Sequence, residues 1–221
     1  MGNASSSSKK VNQPEALLSL LRTNPEAFFG SHALLVRGSV TSGSCSLTPV
    51  QTSNASILQL DVTAGGIDWY IPFRSSSAAY IDVPKGQDTG TLVATFSMNG
   101  CALSVHETPT GNRFFHDADG KNMPGSLPDG VHPIAKFRRT DSDFSGTDLT
   151  ELNEYAANVN ENAKATMIDD KNFVRSSYEH TVISVKTDEG WEVYRCSVIT
   201  WGQQLVWMNK NQPCLLGKFM D

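Results

Sequence analysis

A thiol and an imidazole fifteen residues apart, Cys101 and His116, are the side chains of this 221-residue chain best arranged for chemistry. A free thiol is mostly protonated at neutral pH, and the attacking species is the thiolate, so a nucleophilic cysteine needs a base beside it. The β-rich run Leu92–Phe96 reaches a break at Asn99-Gly100, and a second β-rich run, Ala102–Val105, begins just after the cysteine. Pro109-Thr110-Gly111-Asn112 spells a hairpin turn, and Arg113–Phe115 returns as a strand that carries His116 back beside Cys101. Gly100 leaves room for a substrate against the sulfur. It also tolerates backbone angles that turn N–H groups around Asn99, Gly100 and Cys101 toward a developing oxyanion. Such a set performs acyl transfer through a thioester.

The packing alternative stands beside this reading. Free cysteine is among the most buried residue types, and His116 also fits a loop histidine bonded to Asp117 or Asp119. His106 is the rival base, but strand alternation puts Cys101, Leu103 and Val105 on one face and His106 on the other. Cys45, Cys196 and Cys214 read as packing thiols, and His132 and His180 have no cysteine or carboxylate at a recognisable spacing. No CxxC pair or Cys/His cluster has zinc spacing, and Asp117–Asn122 starts like a calcium loop without its terminal glutamate. The expectation is a site with no metal and no cofactor.

Thr95, Gly100-Cys101 and His116 together resemble the core of the cytotoxic-necrotizing-factor-type glutamine deamidases, which share a fold with Burkholderia lethal factor and the chemoreceptor deamidases of bacterial chemotaxis. In that superfamily a threonine-bearing strand leads into Gly-Cys, and a histidine follows on the next strand. The resemblance covers residues 90–120, including the six-residue step from Thr95 to Cys101; Asn99 departs from it, since relatives often carry Ser or Thr there. It implies a protein-glutamine deamidase with Cys101 as nucleophile, His116 as base and Thr95 as a supporting hydroxyl. It further implies a protein substrate, with a small GTPase or a translation factor as the known types, and a backbone carbonyl or third polar group orienting the histidine. By analogy the Asp68-Trp69-Tyr70 region is the candidate for that third element.

The elements that must hold this set are mostly strands. Pro14 opens an amphipathic helix with Leu17, Leu18, Leu20 and Leu21, and Asn24-Pro25 starts a short turn through Phe28-Phe29 that Gly30 ends. Strands are expected at Leu34–Val36, Ile57–Val62, Trp69–Ile71, Leu92–Phe96, Thr181–Val185, Trp191–Ile199 and Leu205–Trp207, with Thr187–Gly190 as a hairpin turn. Thr41–Ser46 and Pro84–Gly90 read as connections and 117–147 as a long surface excursion. Asp148, with Glu151 three residues on, caps a polar helix to about Met167. This order predicts an α+β fold, a mainly antiparallel β-sandwich or mixed sheet with flanking helices, as one catalytic domain over 13–221.

Hydrophobic content of 39% suits a globular core, and a net charge of −5 argues against nucleic acid as a partner. The basic spot Lys136–Arg139 reads as a solvated loop. Met1-Gly2-Asn3-Ala4-Ser5-Ser6, with Lys9-Lys10 downstream, fits N-myristoylation of Gly2 on a flexible tail, residues 1–12. One acyl chain with two lysines supports reversible membrane docking at best. With no run long enough to span a bilayer, the expected place of action is a eukaryotic cytosol, as a native protein or a delivered toxin-like effector. The alternatives are a non-enzymatic, membrane-docked β-sandwich adaptor, or a cysteine protease or transglutaminase working through the same thioester.

Overall fold

The computed structural model describes residues 13–38, 42–96, 98, 100–137, 177–201, 204–207 and 213–221. The expected tail with Gly2, the expected helix from Asp148, Arg138-Arg139 and Asn99 lie outside the described residues.

Helices α1 (Gln13–Thr23) and α2 (Pro25–Phe29) come first. Pro25 fills the first turn of α2, and the Asn24 side chain accepts the Ala27 N–H as its cap. The strands are β1 (Ala33–Arg37), β2 (Gly43–Val50), β3 (Ile57–Ala64), β4 (Asp68–Tyr70), β5 (Ala78–Pro84), β6 (Leu92–Phe96), β7 (Ala102–Thr108), β8 (Gly111–Asp117), β9 (His132–Phe137), β10 (Ser177–Thr187), β11 (Gly190–Trp201), β12 (Gln204–Trp207) and β13 (Leu215–Phe219). A large mixed sheet runs β1-β3-β2-β4-β6-β10-β11-β12, with β13 also on β11, and a four-stranded antiparallel sheet runs β5-β8-β7-β9. Only β1 with β3 and β4 with β6 are parallel among the described pairs. The fold is therefore the expected α+β sandwich.

Alternation along β6 shows how the layers stack. Leu92 and Ala94 join a core with Leu18, Leu21, Phe28 and Phe29 of the helices, while Val93 joins a second core with Leu103, Val105 and Phe114 of the small sheet. The large sheet is thus covered by helices on one face and by the small sheet on the other. A strand buried on both faces reads as a continuous apolar run, which is why Leu92–Ala94 lacks polar residues.

Three expectations are corrected, and two strands are added to the expected set. Gly43–Val50 is a strand where Thr41–Ser46 was expected to be a connection, because Cys45 and Leu47 point inward between small polar residues that mask the period. The segment 117–147 is not all excursion: His132–Phe137 pairs with β7 as an edge strand, burying only Phe137, so Lys136-Phe137 is not a loop. Strands β5 and β13 went unforeseen. In β5, Ala79, Ile81 and Val83 alternate inward, but Asp82 and the closing Pro84 hide the run.

One polar clamp ties the helices to the middle of the large sheet. The Arg22 guanidinium bonds both Asp68 carboxylate oxygens, at 2.8 and 2.6 Å, and donates to the Gly90 carbonyl at 2.6 Å. Asp68 is buried and also accepts the Leu92 N–H at 3.0 Å. Removing one partner leaves the other charge without its counterion. We expect Arg22→Met to cost about 3 kcal/mol in urea unfolding, and Arg22→Met with Asp68→Leu to recover part of that loss.

Candidate active site

The β7–β8 hairpin closes on a two-residue loop, Pro109-Thr110, with Thr108 opposite Gly111. That register puts Leu103 directly across from His116. Partners in an antiparallel pair share a face. His116 therefore faces the inner core with Leu103, and Cys101, two residues before Leu103, packs in that same core. His116 is in a strand, not a loop, and the Asp117 carboxylate is engaged elsewhere, accepting the Asn122 N–H at 2.7 Å. The rival His106 pairs with Arg113 on the opposite face, 2.8 Å from Ser104 Oγ.

Thr95 comes from the facing sheet. It lies on the Val93 side of β6, and its hydroxyl crosses the sandwich to His116 Nδ1 at 2.7 Å. The same hydroxyl donates to the Ile71 carbonyl at 2.9 Å. A hydroxyl has one proton. With that proton on Ile71 O, the short contact to the ring must be an Nδ1–H donated to Thr95 Oγ1, which fixes the tautomer and leaves a lone pair on Nε2. Nε2 is buried and has no hydrogen-bond partner among the described residues. Burial holds the imidazole neutral, pushing its pKa down to about 4.

Next to the Asp68-Trp69-Tyr70 region, it is the carbonyl of the following residue, Ile71, that accepts the Thr95 hydroxyl. Asp68 itself is taken by Arg22 and by the Leu92 N–H. Sequence reasoning missed Ile71 because a main-chain carbonyl leaves no mark on residue type. It also missed Phe73, whose half-exposed ring lies 5.5 Å from the His116 ring at 56°.

Gly100 takes the backbone angles that other residues resist. Its φ of +81° and the Cys101 N–H bond to the Met98 carbonyl, 3.0 Å, make a tight turn that needs a glycine at this position. That N–H is spent on the turn, so it is not the oxyanion donor foreseen around Gly100-Cys101. The turn is held to β10 by the Met98 N–H, which donates to the His180 carbonyl at 3.1 Å.

The other thiols behave as packing groups. Burial pushes Cys45 up to about 12 and Cys214 up to about 11, and Cys196 is also raised, its Sγ donating to the Leu34 carbonyl at 2.7 Å. Among the described residues no three His, Cys, Asp or Glu side chains gather as metal ligands. No described helix is long and apolar enough to cross a membrane.

Comparison with known protein families and with curated proteins finds no match.

The neutral His116 has a thermodynamic signature. An unfolded histidine takes a proton near pH 6.5, whereas His116 does so near 4, so between those values the unfolded state binds more protons. Stability contributed by this group is full above about pH 6.5 and is lost as pH falls toward 4, by up to about 3 kcal/mol. His116→Gln should flatten that part of the stability profile. Urea unfolding at stepped pH checks it, and an unchanged slope would refute the buried neutral imidazole.

Proposed function

We propose that the chain is a cysteine-dependent protein-glutamine deamidase, with Cys101 as nucleophile and His116 as base. The observation that carries this reading is the line from the Ile71 carbonyl through the Thr95 hydroxyl to His116 Nδ1, which leaves Nε2 without a hydrogen-bond partner among the described residues, the Cys101 thiol included, at the core where Cys101 packs. A general base needs a fixed tautomer, and here two hydrogen bonds fix it.

In the proposed cycle the Cys101 S–H proton passes to Nε2, and the sulfur bonds to the side-chain carbonyl carbon of a substrate glutamine. The imidazolium returns the proton to nitrogen as the C–N bond breaks, and ammonia leaves. Water then gives a proton to Nε2 and cleaves the thioester, yielding glutamate and the free thiol. Thr95 and Ile71 keep the ring in register while its charge changes. Deamidation, rather than another fate of the thioester, follows from the resemblance of Thr95, Gly100-Cys101 and His116 to the cytotoxic-necrotizing-factor type. The same resemblance suggests a small GTPase or a translation factor as substrate, and myristoylated Gly2 would favour a target held at a membrane in a eukaryotic cytosol.

A purely structural reading has one observation in its favour: Thr95, Cys101 and His116 are all almost fully buried. Packing alone, however, leaves Nε2 desolvated with no partner among the described residues, at a cost of about 1–3 kcal/mol. His106 Nδ1 is also bare, so a bare nitrogen does not decide the matter alone. What sets His116 apart is that Cys101 packs in the core that its ring faces.

Incubation with cell extract, with ammonia and Gln-to-Glu conversion as readouts, tests the proposal. Cys101→Ser should fall to background, and His116→Ala should lose about two to four orders of magnitude. Thr95→Val should lose far more activity than Thr95→Ser, which keeps the hydroxyl. Wild type that converts no glutamine in any extract would remove the deamidase reading.

A further inference from the structure

The two candidate residues are buried, and a short loop lays one ring against the imidazole. His116 is fully buried and Cys101 is 2% exposed, so neither can meet a protein-borne side chain as it stands. Phe73 is 45% exposed, yet it lies against the His116 ring. One side of the Phe73 ring faces solvent while the other desolvates the imidazole.

The loop 72–77 is pinned at both ends and loosely held between them. On one side the Ile71 N–H donates to the Ala94 carbonyl at 3.0 Å, and the Ile71 carbonyl receives the Thr95 hydroxyl. On the other the Ser77 carbonyl accepts the Ala118 N–H at 3.2 Å. In between, Phe73, Arg74, Ser75 and Ser76 are exposed, and Ser76 sits at φ +55°, a left-handed conformation that costs a non-glycine residue about 1–2 kcal/mol. A segment with few buried contacts and local strain belongs to the low-stability end of a fold.

We propose that Phe73 is a hinged cover of the active site, and that the glutamine-bearing segment of the substrate reaches Cys101 by displacing its ring from His116. The proposal rests on the Cys101–His116 reading of the site, and it adds a residue two positions from the carbonyl that orients the base. Displacement of the ring lets water reach the imidazole while Ile71 and Thr95 still hold it. An exposed aromatic at the mouth also gives an incoming polypeptide an apolar first contact.

The test needs no substrate. Full-length protein is treated with iodoacetamide and with the bulkier N-ethylmaleimide, and the alkylation rate of each cysteine is followed by peptide mass spectrometry. Phe73→Ala should speed Cys101 alkylation at least about tenfold, more for the bulky reagent, while Phe73→Tyr stays near wild type. The buried Cys45, Cys196 and Cys214 serve as the internal control. If all four thiols accelerate together, Phe73 only supports the fold and the cover idea is wrong. It is equally wrong if Cys101 reacts in Phe73→Ala as it does in wild type. NMR titration of His116 adds a second readout: its pKa should rise from about 4 toward the ordinary value in Phe73→Ala. These outcomes separate the two proposals. Faster Cys101 alkylation in a protein that deamidates nothing keeps the cover and removes the deamidase, while deamidation without the alkylation change does the reverse.

Discussion

The constraint from which the site follows is that β6 is buried on both faces. A hydroxyl on such a strand has no water to bond, so Thr95 must find partners inside the protein or cost about 1–3 kcal/mol. It finds one on each side: the Ile71 carbonyl within its own sheet and the His116 ring across the sandwich. One side chain therefore sets the spacing of two sheets at a point, the tautomer of an imidazole and the direction of a free lone pair. The same geometry explains why the ring is neutral. Between two packed sheets an imidazolium would be desolvated, and among the described groups no carboxylate faces it as a counter-charge.

The Arg22–Asp68 clamp acts on this arrangement from a distance. Asp68 accepts the Leu92 N–H, Trp69 and Tyr70 pair with Val93 and Ala94, and the Ile71 N–H donates to the Ala94 carbonyl. The parallel contact of β4 with β6 is thus a short ladder with a carboxylate at its foot and the Thr95–Ile71 bond at its head. A slip of one residue would turn Ile71 O away from Thr95 and leave Nδ1–H without an acceptor. Asp68 is then a register device, which is how a buried ion pair of little net stabilising value can still matter to a site.

The hairpin that presents His116 was legible because its determinants are local. Alternation fixes which face each residue takes, Pro109-Thr110 fixes the turn, and together they set Leu103 against His116. The opposite placement of His106 was legible for the same reason. Thr95 could be found only through its spacing to Cys101, since its function depends on a partner in another sheet. The pairing of β6 with β4, the Ile71 carbonyl and the covering position of Phe73 are tertiary facts with no local signature. Gly100 was legible as a glycine whose backbone freedom is used. That the turn takes the Cys101 N–H was not, since the chain reads the same whether that N–H serves a turn or an oxyanion.

In the proposed site, a neutral, dry imidazole not yet hydrogen-bonded to its thiol is a resting state rather than a reactive one. Moving the thiol proton to Nε2 creates two charges, and each unit by which burial depresses the imidazole pKa adds about 1.4 kcal/mol to that transfer. A site left in this condition would be a weak nucleophile, protected from stray electrophiles and oxidants by the same desolvation. For the proposed deamidase, activation then requires that something raise the basicity of Nε2 when a substrate arrives. Among the described residues, the parts of the site that can do so without disturbing the two sheets are the solvent-facing ones, because Thr95 and Ile71 are locked into the ladder. An aromatic ring that desolvates the imidazole at rest and leaves with substrate docking would link access to basicity in one movement: the base becomes competent when there is a carboxamide to attack.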